Sequence, residues 1–123
     1  MNINIKATNI ELTPAIRNYI DKKIGVLEKF LDNYNDTSVQ VWVEIGMTTR
    51  HHHKGDIFRA EIQFHLPHFK KGARTEFSSS DLYAAIDGAH DEMKIELGKI
   101  KGRRSSLIRK GARLFKRFVP FLK

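Results

Sequence analysis

His51, His52 and His53 stand in succession, and imidazole is a common ligand for zinc and related metals. Consecutive side chains on a strand or loop diverge, however, and no nearby cysteine or carboxylate completes a ligand set. The run reads as a polar loop that can approach phosphates and gains charge below about pH 6.5. Glu44, Glu61 and Glu76 are the carboxylates placed for general acid–base work. They fall on the polar side of alternating segments, among Arg59 and Arg74, where cross-strand ion pairs account for them. There is no glycine-rich phosphate loop, no nucleophile elbow and no His-Glu-x-x-His. The chain therefore reads as a non-enzyme, with no catalytic residue, no metal, no cofactor and no small-molecule substrate. Trp42 shares the polar side, where a base can stack on it. Sheets that bind single strands offer two or three such rings and this one offers one, so shielding of its strand neighbours is the simpler role.

The remaining candidates are cations. The 123 residues hold 22 Lys and Arg against 14 Asp and Glu, a net charge of +8. Eight of the cations are Arg103, Arg104, Arg109, Lys110, Arg113, Lys116, Arg117 and Lys123, and no acidic residue follows Glu96. Residues 1–102 are therefore neutral overall. Within them, Arg17, Lys22, Lys23 and Lys29 lie off the apolar stripe of one predicted helix, and Lys94, Lys99 and Lys101 off that of a second. Arg50, His52, His53 and Lys54 fall in a predicted loop, and Arg103 and Arg104 open the basic tail. Cations distributed over two helices and a loop suit a surface that tracks phosphates. A neutral body then requires its acidic residues to cluster elsewhere.

The elements that must position these groups follow from periodicity. Ile3, Ile5 and Ala7 alternate with polar residues as a half-buried strand does. Thr13 is a helix cap and Pro14 suits the first helical position. Ile16, Ile20, Ile24, Leu27 and Leu31 form one helical stripe. Val39, Val41, Val43 and Ile45 make a second strand, and residues 46–56 read as a long hairpin connection. Phe58 to Leu66 and Ala73 to Phe77 alternate again. Ser78 to Asp81 supply capping residues before the stripe Leu82, Ile86, Ala89, Met93, Leu97 and Ile100. The expected fold class is α+β: β-α-β-β-β-α, a four-stranded sheet with two helices packed on one face, followed by a basic tail.

The chain contains no cysteine, so disulfides and thiolate metal sites are excluded. Its N-terminus lacks the apolar core of a signal peptide, and no run of about 18 apolar residues crosses a membrane. The expected location is the cytoplasm.

Leu12-Thr13-Pro14-Ala15-Ile16-Arg17, Leu27-Glu28-Lys29-Phe30 and Asp81-Leu82-Tyr83-Ala84-Ala85-Ile86-Asp87, in this order and spacing, resemble the bacterial ribosome hibernation-promoting factors. These are also called ribosome-associated inhibitors or subunit interface proteins. His52-His53-Lys54-Gly55-Asp56-Ile57-Phe58-Arg59-Ala60-Glu61 looks like the loop and third strand of long-form members. The resemblance covers roughly residues 1–101, and it implies a fold close to double-stranded-RNA-binding modules. It implies binding in the small-subunit cleft, over the tRNA sites and the mRNA path, with inhibition by occupancy and preservation of idle ribosomes under stress. The partners it implies are 16S-type rRNA and neighbouring ribosomal proteins. By position, Arg17, Lys23, Lys29, Lys99 and Lys101 match places where the family is commonly basic. Val26, Glu92 and Ile95 depart from that pattern. A structured-RNA-binding module not tied to the ribosome is the alternative reading.

Residues 1–101 are thus read as the ribosome-binding domain and 102–123 as a basic amphipathic tail. Three roles compete for the tail. It adds phosphate contacts on the ribosome; or it lays Phe115, Phe118, Phe121 and Leu122 into an anionic lipid surface; or it packs back on the body near Ile95 and Trp42. The first ranks above membrane contact.

Overall fold

A computed structural model describes residues 2–30, 39–49, 56–66 and 72–118. Its elements are β1 (Asn2–Thr8), α1 (Pro14–Phe30), β2 (Gln40–Thr49), β3 (Asp56–His65), β4 (Ala73–Ser79) and α2 (Leu82–Phe118). The expected β-α-β-β-β-α order is found, in one four-stranded sheet ordered β1-β2-β3-β4. Strands β1 and β2 run parallel, as a helical crossover requires, and the other neighbours are antiparallel.

The register aligns the apolar positions. Ile3, Ile5 and Ala7 sit beside Val41, Val43 and Ile45, and these pair in turn with Phe64, Ile62 and Ala60. That face carries both helices. Ile16, Ile20, Ile24 and Leu27 of α1 meet Leu82, Ile86, Ala89, Met93, Leu97 and Ile100 of α2 in a single core cluster. A Thr interrupts the apolar face of β4, but the Thr75 hydroxyl donates to the Ala89 carbonyl at 2.8 Å, so no buried polar group is left without a partner there.

The helix starts follow their caps. The Ile16 N–H donates to Thr13 Oγ1 at 3.2 Å, and the Ala84 N–H donates to Asp81 Oδ2 at 3.2 Å. Two glycines are dictated by space. Gly72 has φ of +58°, and a Cβ there would lie 2.3 Å from the Phe64 carbonyl oxygen. A Cβ at Gly88 would fall 2.3 Å from the Phe77 ring, so that glycine is the seat on which β4 closes against α2.

Two spans differ from the periodicity reading. Of the long connection expected over 46–56, the described residues 46–49 and 56 are strand: Gly46, Met47, Thr48 and Thr49 pair with Arg59, Phe58, Ile57 and Asp56. Alternation fades there, but β-branched Thr48, Thr49 and Ile57 hold the extended backbone. In addition, α2 runs unbroken through Gly102 to Phe118. One glycine costs a helix about 1 kcal/mol, which flanking helix formers such as Lys101, Arg103 and Arg104 offset.

Candidate nucleic-acid interface

The cations of α1 do not share one environment. Arg17, Lys22 and Lys29 are exposed and form no ion pair among the described residues. Lys22, Val26 and Lys29, at spacings of four and three, occupy one face of the helix, with Val26 46% exposed between the two lysines. Lys23 is half-buried and turned toward α2, where its Nζ lies 3.2 Å from Asp87 Oδ1 and 5.5 Å from the Tyr19 ring centroid. The Tyr19 hydroxyl donates to the same Asp87 oxygen, and the Tyr19 and Tyr83 rings meet edge to face at 4.8 Å.

This clamp joins the two helices electrostatically. The Tyr19 hydrogen bond, followed by that of Lys23, holds the Asp87 carboxyl below its usual range. The same bond to Asp87 raises the Tyr19 hydroxyl, and Asp87 raises the Lys23 ammonium. Lys23 therefore spends its charge on a carboxylate within the protein.

On α2, Lys94 is exposed and lies two turns beyond Asp87 on the side toward α1. Lys99 is exposed and within 3.3 Å of Glu96, a surface pair of small energetic weight. Lys101, Arg103 and Arg104 continue the helical backbone, but their side chains lie outside what is described. Arg50, His52, His53 and Lys54 lie outside the described residues altogether. Helical spacing thus places Lys22 and Lys29 on one exposed face of α1 and Lys94 on the Asp87 side of α2, with Arg17 exposed on a different face of α1.

The expected segregation of acidic residues is incomplete. Glu76, Glu92 and Glu96 line a shallow groove of about 310 Å³ between β4 and the far flank of α2, together with Arg74, Thr75 and Ile95. Yet Asp21 and Glu28 on α1, and Asp87 and Asp91 on α2, stand among the cations. Ile95 is 60% exposed, as its position off the apolar stripe requires. Gly88, which helical spacing places on the same flank, is covered by Phe77.

The open sheet face is an ion-pair lattice. Lys6, Glu44, Glu61 and Glu76 align in register across all four strands. Three opposed carboxylates would repel, and two arginines neutralise them. Arg59 Nε lies 2.6 Å from Glu76 and its Nη2 2.8 Å from Glu61, while Arg74 Nε lies 2.6 Å from Glu61 and its Nη2 3.3 Å from Glu76. Arg74 first, then Arg59, depresses the Glu61 carboxyl, and Arg59 does the same for Glu76. Fully ionised and mutually satisfied, these carboxylates are poor proton acceptors and the arginines are not free to take phosphates. Trp42 is partly exposed beside this lattice and packs edge-on against His65 at 5.1 Å.

Among the described residues no group of three or more His, Cys, Asp or Glu is arranged to hold a metal. His90 is buried, with Nδ1 3.1 Å from Asp91 Oδ1 and Nε2 without a hydrogen-bond partner. No helix among the described residues is long and apolar enough to cross a membrane.

The Tyr19–Lys23–Asp87 clamp was not legible from periodicity. Its one local signal is that polar residues border the apolar stripe on each helix: Tyr19 and Lys23 beside Ile20 and Ile24, Asp87 beside Ile86.

The same architecture and sequence recur in known proteins. Residues 3–105 match the model of a family described as Sigma 54 modulation protein / S30EA ribosomal protein. A Ribosome hibernation promotion factor of Bacillus subtilis is 30% identical over 101 residues, covering 82% of this chain and 49% of that protein. A Ribosome hibernation promoting factor of Klebsiella oxytoca is 31% identical over 103 residues, covering 84% of this chain and 96% of that protein. This chain spans about half the length of the Bacillus relative and nearly all of the Klebsiella one. The crystal structure of the Thermus thermophilus Protein Y N-terminal domain superposes with a TM-score of 0.63 at 34% identity, covering 81% of this chain and 99% of that one. With its fold, its helix motifs and this coverage, the chain belongs to the Sigma 54 modulation protein / S30EA ribosomal protein family, the non-enzymatic family of the ribosome hibernation promoting factors.

Proposed function

We propose that this chain binds the small ribosomal subunit at the tRNA and mRNA decoding region and inhibits translation by steric occlusion, preserving idle ribosomes under stress. The observation that carries this reading is the match of residues 3–105 to the family of ribosome hibernation factors. The helix layer supports it physically. Arg17, Lys22, Lys29 and Lys94 are exposed cations free of ion pairs among the described residues, and they can exchange counterions for rRNA phosphates. Lys99 joins them through a weak surface pair with Glu96, whereas Lys23 acts by holding α1 against α2. Arg50, His52, His53, Lys54, Lys101, Arg103 and Arg104 complete the proposed contact set. Residues 1–101 form the ribosome-binding unit and residues 102–123 an auxiliary. Such a plug needs no chemistry: distributed phosphate contacts give affinity, and the bulk of the domain excludes tRNA.

Cosedimentation in sucrose gradients with purified small subunits, large subunits and a generic RNA duplex tests this. Selective comigration with small subunits is expected. Equal retention of the duplex would move the assignment to a structured-RNA module not tied to the ribosome.

A further inference from the structure

Trp42 takes no part in the helix layer. It stands partly exposed on the open sheet face and lines a cavity of about 400 Å³ there. That volume lies within the range of small-molecule sites. The register sets its neighbours: Asn4 and Gln63 flank Trp42 on the adjacent strands, and the next rung holds Lys6, Glu44 and Glu61. These residues line the cavity with it. The His65 ring meets the indole at 5.1 Å with the two planes 80° apart, so the indole is held in place without a stacked partner.

The two carboxylates in the wall differ. Glu61 is committed to Arg74 at 2.6 Å and to Arg59 at 2.8 Å. Glu44 has one ion-pair contact among the described residues, with Arg59 Nη1 at 3.9 Å, which is beyond hydrogen-bond reach. Its oxygens therefore keep unused acceptor capacity. An ionised carboxylate only accepts, and its paired oxygens suit a group with two adjacent donors. The Asn4 and Gln63 amides both donate and accept.

We propose that this cavity takes a single guanine base, stacked on Trp42, with its N1–H and N2–H donating to the Glu44 carboxylate. Successive residues on one face of a strand are about 7 Å apart, so a base lying on the indole turns one edge toward the Glu44 rung. Among the common bases, guanine alone presents two adjacent donors on its pairing edge. Adenine and cytosine would set a ring-nitrogen lone pair against the carboxylate, and uracil would set a carbonyl there. The O6 beside the guanine donors accepts from an amide such as that of Gln63. Lys6 lies in register with Glu44, and Arg59 approaches it too, which offsets its pull on an incoming cation but leaves its oxygens as acceptors. A neutral base therefore suits the site better than a guanidinium. One ring is too few to track a strand and enough to hold one base. The recognition is the same for a free guanine nucleotide and for an unpaired guanosine of an RNA. Nothing in it depends on how the helix layer meets the ribosome.

Trp42 is the only tryptophan of the sequence, so tryptophan emission reports this site alone. Titration of the full chain with guanosine monophosphate is the test. Saturable quenching is expected. Inosine monophosphate, which lacks the N2 amino group, and adenosine monophosphate should bind about tenfold more weakly, although both carry the same ribose and phosphate. Glu44→Gln should abolish the preference for guanosine over inosine monophosphate and leave the Tm near that of the parent. In equilibrium dialysis, Trp42→Leu should lose binding and Trp42→Phe should keep part of it. A pentamer of uridines around one guanosine separates the two sources: tighter binding than the mononucleotide supports an RNA base as the occupant, and equal binding supports a free nucleotide. Quenching that is equal for the three nucleotides, that does not saturate, or whose guanosine preference survives Glu44→Gln overturns the proposal. Tighter binding of arginine methyl ester than of guanosine monophosphate also overturns it, and assigns the cavity to a basic peptide.

Discussion

Replacing Lys23 and replacing Lys22 should have opposite consequences, although the two are neighbours on one helix. Lys23→Ala removes a 3.2 Å ion pair with Asp87 between side chains 28% and 42% exposed, and a cation lying 5.5 Å from the Tyr19 ring. At that exposure the ion pair contributes about 0.5–1 kcal/mol after solvent screening, and the cation over the ring about 0.5 kcal/mol. The expected loss is about 1 kcal/mol, or roughly 4 °C in Tm for a domain of this size. The pH dependence follows from Asp87. Its carboxyl is held below the usual 3.8, so its contribution is complete above that value and fades as pH falls through the folded pKa. The gap between Lys23→Ala and the parent should therefore narrow below about pH 4. Lys22→Ala, exposed and outside any ion pair among the described residues, should leave stability within about 0.5 kcal/mol of the parent. It should instead reduce the salt dependence of ribosome binding, by about 0.7–0.9 in log–log slope for each phosphate that is no longer neutralised. Thermal melts from pH 3 to 8, paired with binding titrations at several salt concentrations, read both quantities. A Lys23→Ala protein that melts like the parent but shows the full one-phosphate drop in slope would refute this division of labour.

Gly72→Ala forces a Cβ to within 2.3 Å of a backbone carbonyl at φ of +58°, and should cost about 2 kcal/mol or more in urea denaturation. Glu61→Gln removes the negative charge shared by Arg59 and Arg74 and one of the two oxygens that accept from them. Because its carboxyl is depressed below the usual 4.5, the resulting loss of urea midpoint should be full at pH 7 and shrink as pH falls below 4.5 through the folded pKa. Thr75→Val deletes the hydrogen bond to the Ala89 carbonyl and should cost about 0.5–1.5 kcal/mol, without altering salt-dependent RNA binding.

Strand alternation and helical stripes carried the architecture, since a sheet covered on one face must bury every second residue. They also carried the exposed position of Ile95, which follows from helical spacing alone. What periodicity could not carry is pairwise register between elements. Lys22 and Lys23 look equivalent until α1 and α2 are docked, when one meets solvent and the other Asp87. Gly88 looks like an outer-flank residue until β4 closes and sets Phe77 on it. The strand content of residues 46–49 was hidden because ladder hydrogen bonds hold a segment whose side chains no longer alternate. The tail is read as starting at Gly102, and α2 runs through that position because one glycine between good helix formers does not end a helix. Alternation also carried the ion-pair lattice: Glu44, Glu61 and Glu76 fall with Arg59 and Arg74 on the polar face of a body whose net charge is zero, and the pairs are found there.

Displacement of tRNA from programmed small subunits by the full chain tests the central claim most directly. Stoichiometric displacement is predicted, weakened in a Lys22→Ala, Lys29→Ala, Lys94→Ala variant of unchanged Tm. Tight binding to small subunits that leaves tRNA in place, or displacement that ignores those three lysines, would contradict it.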